Sequence, residues 1–167
     1  GMPVGKIGHK SQQYMKKYRI LAINPGSTST KVALYEDRDL ITELTLRHSA
    51  EELKDFPGII DQFDFRKDII VKAVEDAGVE INSIDAVIGR GGLIKPISSG
   101  IYEVNDALKH DLLNPSREHA SNLGGLIAAD IAEKIGVKAY IADPVVVDEL
   151  QDVARITGMP EVPRISI

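Results

Sequence analysis

Three strand-like runs follow one another between residues 18 and 46 with only turns between them. Strands joined that closely can pair only antiparallel, because a parallel neighbour needs a crossover of a dozen or more residues. "YRILAIN" (18–24) is short, apolar and rich in Ile and Leu, as a buried strand is. Pro25 and Gly26 break it. "TKVALYED" (30–37) alternates, with Val32 and Leu34 on one face and Ala33 and Tyr35 on the other. "DLITELTL" (39–46) follows a turn at Glu36–Asp39. The patterned sequence therefore opens with an antiparallel meander.

Beyond residue 48 helical and strand patterns alternate. Ser49 with Glu52 three residues on has the pattern of a capping box. "DQFDFRKDIIVKAVEDAG" (61–78) carries a broad apolar stripe of Phe65, Ile69, Ile70, Val71, Val74 and Ala77, with Gly78 placed to cap its end. "SIDAVIGR" (83–90) predicts a buried strand, and "GIYEVNDALKHDLLN" a short extended piece with a short helix near 105–113. "SREHASNLGGLIAADIAEKIG" predicts a strong helix from about His119 to Gly136, and "VKAYIADPVVVDE" a strand ending at Asp143–Pro144. The closing "ISI" begins something strand-like. Buried strands separated by helices imply an α/β fold, a mixed sheet with an N-terminal antiparallel meander flanked by helices.

The 167 residues suffice for one domain with a real core. A net charge of −5 leaves no electrostatic footprint for nucleic acid. Residues 1–17 carry Lys6, Lys10, Lys16 and Lys17 and no acid, but no apolar stretch or cleavage site, so they read as a flexible leader, with Met15 as a candidate internal start. Cysteine is absent, which removes disulfides, thiolate metal sites and cysteine nucleophiles. No apolar run has the length of a membrane span, and a cytoplasmic protein is the expectation.

The densest chemistry lies in "INPGSTSTK" (23–31). A nucleotide-binding P-loop needs a glycine directly before its lysine and a helix after it. Here Thr30 precedes Lys31 and a strand follows, so this is a hairpin turn bearing Ser27, Thr28, Ser29 and Thr30. It is either a phosphate cradle, with Gly26 admitting a close approach and Lys31 adding charge, or a solvated polar turn. "IGRGGLIKP" (88–96) puts Arg90 at a strand end, where sites gather in α/β sheets, with Gly91 and Gly92 leaving space beside it. Against that stands an ordinary surface arginine. "SREHASNLGG" (116–125) puts His119 near a helix N-terminus, as an anion donor or a capping residue. Gly124–Gly125 within the helix points to close approach by another element. Asp143, before Pro144, is a water-mediated Mg2+ ligand, an orienter of an acid substrate, or a strand-ending residue. The histidines show no metal-ligand spacing, and no G-x-S-x-G triad signature appears.

Taken in order, "LAINPGSTSTKVALYED", "IGRGGLIKPI", "NPSREHASNLGGLIA" and "YIADPVVVDEL" resemble the N-terminal half of the butyrate kinase branch of the acetate kinase family, within the larger group of sugar kinases and actin. The resemblance covers residues 18–167, and "NPGSTSTK" and "GRGG" are its most specific motifs. It implies a ribonuclease-H-like domain whose hairpin turn is the first phosphate loop. It also implies reversible phosphoryl transfer between ATP and butyrate, giving butanoyl phosphate and ADP, with Mg2+. On matching positions, Asn24 lies near metal and phosphate, and Ser27 and Ser29 face the transferred group, with Gly26, Thr28 and Lys31 completing the turn. Arg90 engages carboxylate and phosphoryl, His119 stabilises the phosphoryl in transfer, and Asp143 is tied to Mg2+ or the acid. Gly91, Gly92 and Pro144 border the acyl chain, the two glycines making room for a tail longer than that of acetate.

The family has two such domains around a cleft. The resemblance implies that residues 18–167 are the first, that a C-terminal kinase domain is the missing partner, and that the chain alone is inactive. A bared cleft face would favour self-association into a homo-oligomer. The alternatives are an acetate or propionate kinase relative, and a non-catalytic phosphate- or acid-binding module.

Overall fold

A computed structural model describes residues 17–37, 39–90, 101–113 and 120–142, the side chains of Ala120 and Ser121 excepted. The leader up to residue 16, Gly91, Gly92, His119, Asp143, Pro144 and the closing "ISI" lie outside the described residues.

The meander forms as its spacing requires. β1 (Arg19–Pro25), β2 (Ser29–Glu36) and β3 (Asp39–Arg47) pair antiparallel, with Asn24 opposite Lys31 and Pro25 opposite Thr30 at the first turn. At the second turn Asp37 takes a φ of 54°, and its carboxylate accepts from the Tyr18 amide at 2.9 Å. β4 (Ala86–Arg90) lies parallel to β1, and β6 (Lys138–Ala142) parallel to β4. The extended piece at residue 101 is a true strand, β5 (Ile101–Glu103), antiparallel to β6 at the edge. The six strands run in the order β3-β2-β1-β4-β6-β5. A mixed sheet that opens with the meander and continues in parallel strands is the ribonuclease-H-like arrangement that the resemblance implies.

The capping box is present: the Ser49 hydroxyl accepts from the Glu52 amide at 3.1 Å and the Glu52 carboxylate accepts from the Ser49 amide at 2.8 Å, starting α1 (Ala50–Leu53). A 3-10 turn (Ile59–Gln62) leads into α2 (Phe63–Asp76). A second such turn (Ile81–Ser83) takes the start of the run expected as one strand from residue 83, because its Ser83 amide bonds back to Glu80 before β4 begins. α3 (Asp106–Leu112) and α4 (Ala120–Ile135) complete the helices, and Gly78 and Gly136, at φ +86° and +79°, follow the ends of α2 and α4.

α2, α3 and α4 pack on one face of the sheet. Leu21, Ile23, Val32, Leu34 and Val87 meet Ile70 and Val74 of α2 and Leu123, Ile127 and Ile131 of α4. Each such side chain, fully buried, contributes roughly 1.5–3 kcal/mol. The stripe of α2 is narrower than its sequence suggested. Gln62, Arg66, Ile70 and Val74, one turn apart, form the buried ridge, whereas Ala77 is exposed.

α4 meets β4 at backbone contact. A Cβ at Gly89 would lie 2.3 Å from the carbonyl carbon and oxygen of Gly124, and one at Gly124 would lie 2.9 Å from the Arg90 carbonyl and 3.2 Å from Cδ of Pro25. The close approach expected from Gly124–Gly125 is therefore made by β4 and the end of β1. Because backbone cannot yield as a flexible side-chain tip does, Gly89→Ala is expected to cost about 3 kcal/mol. Urea unfolding checks this; a loss under about 1 kcal/mol would mean that α4 has room to retreat.

Candidate functional site

The turn between β1 and β2 is built from beneath by an arginine that the sequence reading did not single out. Arg66 is 0% exposed, and its guanidinium lies under residues 26–30. Nη1 donates to the carbonyls of Gly26 at 2.6 Å and Ser29 at 3.2 Å and to the Thr30 hydroxyl at 3.2 Å. Nη2 donates to the Ser27 carbonyl at 3.0 Å, and Nε to the Gln62 side-chain oxygen at 2.9 Å. Two more bonds complete the turn: Gly26 N–H to the Ser29 carbonyl at 2.7 Å and His48 N–H to the Thr28 carbonyl at 2.9 Å.

The polarity of the turn is thereby sorted. The carbonyls of Gly26, Ser27, Thr28 and Ser29 all accept from protein donors. The amides of Ser27 and Thr28, and the hydroxyls of Ser27, Thr28 and Ser29, donate to nothing among the described residues. Ser27 and Thr28 are exposed. Acceptors point into the protein and donors are left for solvent or a ligand, which is the polarity an anion requires.

His48 closes the base of the turn. Its Nε2 lies 2.8 Å from the buried Thr30 hydroxyl, its ring meets Phe65 edge-on at 5.5 Å, and its buried Nδ1 makes no hydrogen bond. Burial, and next the Arg66 charge, hold its pKa below the ordinary 6.5, against a smaller opposing pull from Glu52. The imidazole is therefore held neutral.

Strand register gathers three of the expected site residues. Lys31 stands opposite Asn24, and the parallel register ends with Ile23 beside Gly89, so the next residues, Asn24 and Arg90, stand level. Gly89 faces α4, so Arg90 faces the other side of the sheet, as Asn24 and Lys31 do. Lys31, Asn24 and Arg90 thus form a row across three neighbouring strands, about 5 Å apart from strand to strand. Arg90 and Asn24 are half-buried and Lys31 is exposed. The row and the turn occupy one edge of the sheet, where α4 also begins on the opposite face. His119 and Asp143 directly adjoin the described ends of α4 and β6 in sequence, but their placement, with that of Gly91, Gly92 and Pro144, lies outside the described residues.

Butyrate kinase 1 of Clostridium acetobutylicum is 57% identical over 151 residues, 90% of this chain and 42% of that protein. Butyrate kinase 2 of the same organism is 56% identical over 152 residues, 90% of this chain and 43% of that protein. The chain is a homologue of the butyrate kinases. The homologue spans a little over two-fifths of the length of these relatives. Among solved structures, the acetate kinase of Porphyromonas gingivalis superposes with a TM-score of 0.50 at 18% identity, over 86% of this chain and 39% of that one, which is a likeness of fold. No family model matches. Among the described residues no helix is long and apolar enough to cross a membrane.

In this butyrate kinase homologue the neutral His48 gives a pH dependence of stability. Its folded pKa lies below 6.5, so the unfolded chain takes up a proton that the folded chain refuses. Its contribution is full above about pH 6.5 and is lost as the pH falls towards the folded pKa. The unfolding free energy should therefore drop as the pH falls below about 6.5, and His48→Gln should flatten that part of the curve. An unchanged slope in the variant would show that another group carries it.

Proposed function

We propose that residues 18–167 form the N-terminal, phosphate-handling half of a butyrate kinase, which transfers a phosphoryl group between ATP and butyrate. The sorted turn is the observation that supports phosphate binding, and the identity to butyrate kinases supports the acid. Ser27, Thr28 and Ser29 would bind phosphate through amides and hydroxyls, Gly26 would admit it, and Lys31 would add charge. Arg90 would bridge carboxylate and phosphoryl. His119 would donate to the phosphoryl, Asp143 would orient the acid, and Gly91, Gly92 and Pro144 would border its tail.

The chemistry asks little of the protein beyond placement and charge. A carboxylate oxygen attacks the γ-phosphorus, an oxygen–phosphorus bond forms, and the bond to the bridging oxygen breaks as ADP leaves. No proton need move, so no strong base is required. Negative charge spreads over the equatorial oxygens, where the cations Lys31 and Arg90, on either side of Asn24, and the outward-facing donors of the turn would stabilise it.

Among the described residues there is no cluster of three or more acidic or histidine side chains to cage a metal. Asn24 offers a neutral oxygen beside the turn. Asn24 and Asp143 would be the protein contacts of an Mg2+ ion carried on the nucleotide phosphates. When bound, Mg2+ would offset the negative charge of the phosphates.

The relatives' greater length supports a second domain that supplies the remaining half of the cleft. The pure chain is therefore expected to form no butanoyl phosphate from MgATP and butyrate, and turnover by it would overturn the half-enzyme reading. Residues 18–167 grafted in place of the matching segment of butyrate kinase 1 should restore turnover. Arg90→Ala in that chimera should lower kcat by about 100-fold to 1,000-fold. A folded chimera that prefers acetate would make this chain an acetate kinase relative instead.

A further inference from the structure

Arg66 has no carboxylate partner among the described residues; its five contacts are three turn carbonyls, one hydroxyl and one side-chain amide oxygen. A fully buried cation solvated only by dipoles is costly to keep, and a neutral apolar side chain would fill an ordinary helix–turn contact at less cost. What a neutral residue cannot do is pull several carbonyls inward at once. The planar guanidinium offers donors in several fixed directions, which matches carbonyls converging from successive residues of one turn; a lysine ammonium would not hold that fork. Burial draws the Arg66 pKa down, yet an arginine keeps its charge in a protein. The positive charge therefore stays directly behind the amides of Ser27 and Thr28, which have no protein acceptor among the described residues.

We propose that Arg66 is a positioning residue for phosphate: it fastens the carbonyls of Gly26, Ser27 and Ser29 inward, so that the turn presents its donors outward over a buried positive charge. Gln62 sets the rotation of the guanidinium through Nε, and Thr30, between Nη1 and the His48 ring, fixes its depth. The anion that completes the arrangement is a phosphate group on the outer side of the turn, and Arg66 acts on it through the turn without touching it. This rests on the reading of the turn as a phosphate site.

The test is titration of the isotopically labelled 167-residue chain with inorganic phosphate, following the amide resonances of Ser27 and Thr28. The native chain should show saturable shifts at both. Arg66→Lys, at a temperature where its spectrum remains that of a folded protein, should bind phosphate about tenfold more weakly. Val74→Ala removes core methyls two turns along the same helix, so it should lower the melting temperature and leave phosphate affinity unchanged. If Arg66→Lys binds within about twofold of the native chain, Arg66 is only structural and the phosphate site stands without it. If Val74→Ala weakens binding as much, the effect belongs to helix stability and the proposal fails. If the native chain gives no saturable shift at Ser27 or Thr28, the phosphate reading falls and the role of Arg66 with it. Should Arg66→Lys not fold, Gln62→Leu, which keeps the charge and frees its orientation, should weaken binding several-fold, and native affinity in that variant overturns the proposal.

Discussion

The contact between Gly89 and Gly124 sets the geometry on which the sheet edge depends. Two backbones meet there with no side chain between them. Helices usually stand off a sheet by the thickness of their side chains; here α4 descends onto β4 one residue before Arg90. Because side chains alternate along a strand, a glycine that faces the helix obliges the next residue to face away. The small residue at 89 and the outward placing of Arg90 are thus consequences of one another. Moving the contact by one position would bury Arg90 under α4 and remove it from the row with Asn24 and Lys31.

The turn is held by a different kind of force. Close packing needs only the absence of atoms, whereas the turn needs many polar groups satisfied together. Arg66, Gln62, Thr30 and His48 are all buried and are joined by hydrogen bonds that run from helix to strand. In a low-dielectric interior such a network is strong when complete and costly when one member is lost. His48 shows the cost, since its Nδ1 is buried without a partner and the ring is kept neutral beside a cation. That compromise is tolerable because its other nitrogen, its ring contact with Phe65 and its backbone amide are all used, the amide on the Thr28 carbonyl.

Much of this was legible in the sequence, for reasons of range. The meander, the capping box, the glycine ends of α2 and α4 and the close approach at Gly124 are local patterns, and each lies where the pattern put it. The turn between β1 and β2 was legible as a turn with donors. Its sorted polarity was not, because Arg66 lies 37 residues or more from the three carbonyls it binds in the turn. An apolar stripe looks for apolar residues, so an arginine at its centre reads as an interruption on the solvent side. The available signal was spacing: Gln62 and Arg66 continue the i, i+4 ridge of Ile70 and Val74. β5, at three residues, is too short to carry a period and is fixed by pairing with β6. The row of Lys31, Asn24 and Arg90 was legible residue by residue, but their alignment needs the register of two strand pairs.

Net charge is a poor guide to a site of this kind. The chain is acidic overall, at −5, and yet Arg66, Lys31 and Arg90 converge on one edge of the sheet. They differ in how water treats them. Lys31 is exposed and its field is screened within a Debye length of about 8–10 Å. Arg66 is fully buried, and its field reaches the outer side of the turn through aligned peptide dipoles with little water between. A buried cation behind oriented amides is already paid for in folding, so a ligand arriving at the turn finds donors that need not reorganise. For a phosphoryl group whose charge shifts from one oxygen to another during transfer, fixed dipoles are the more useful kind of support, because mobile water would have to rearrange at each stage.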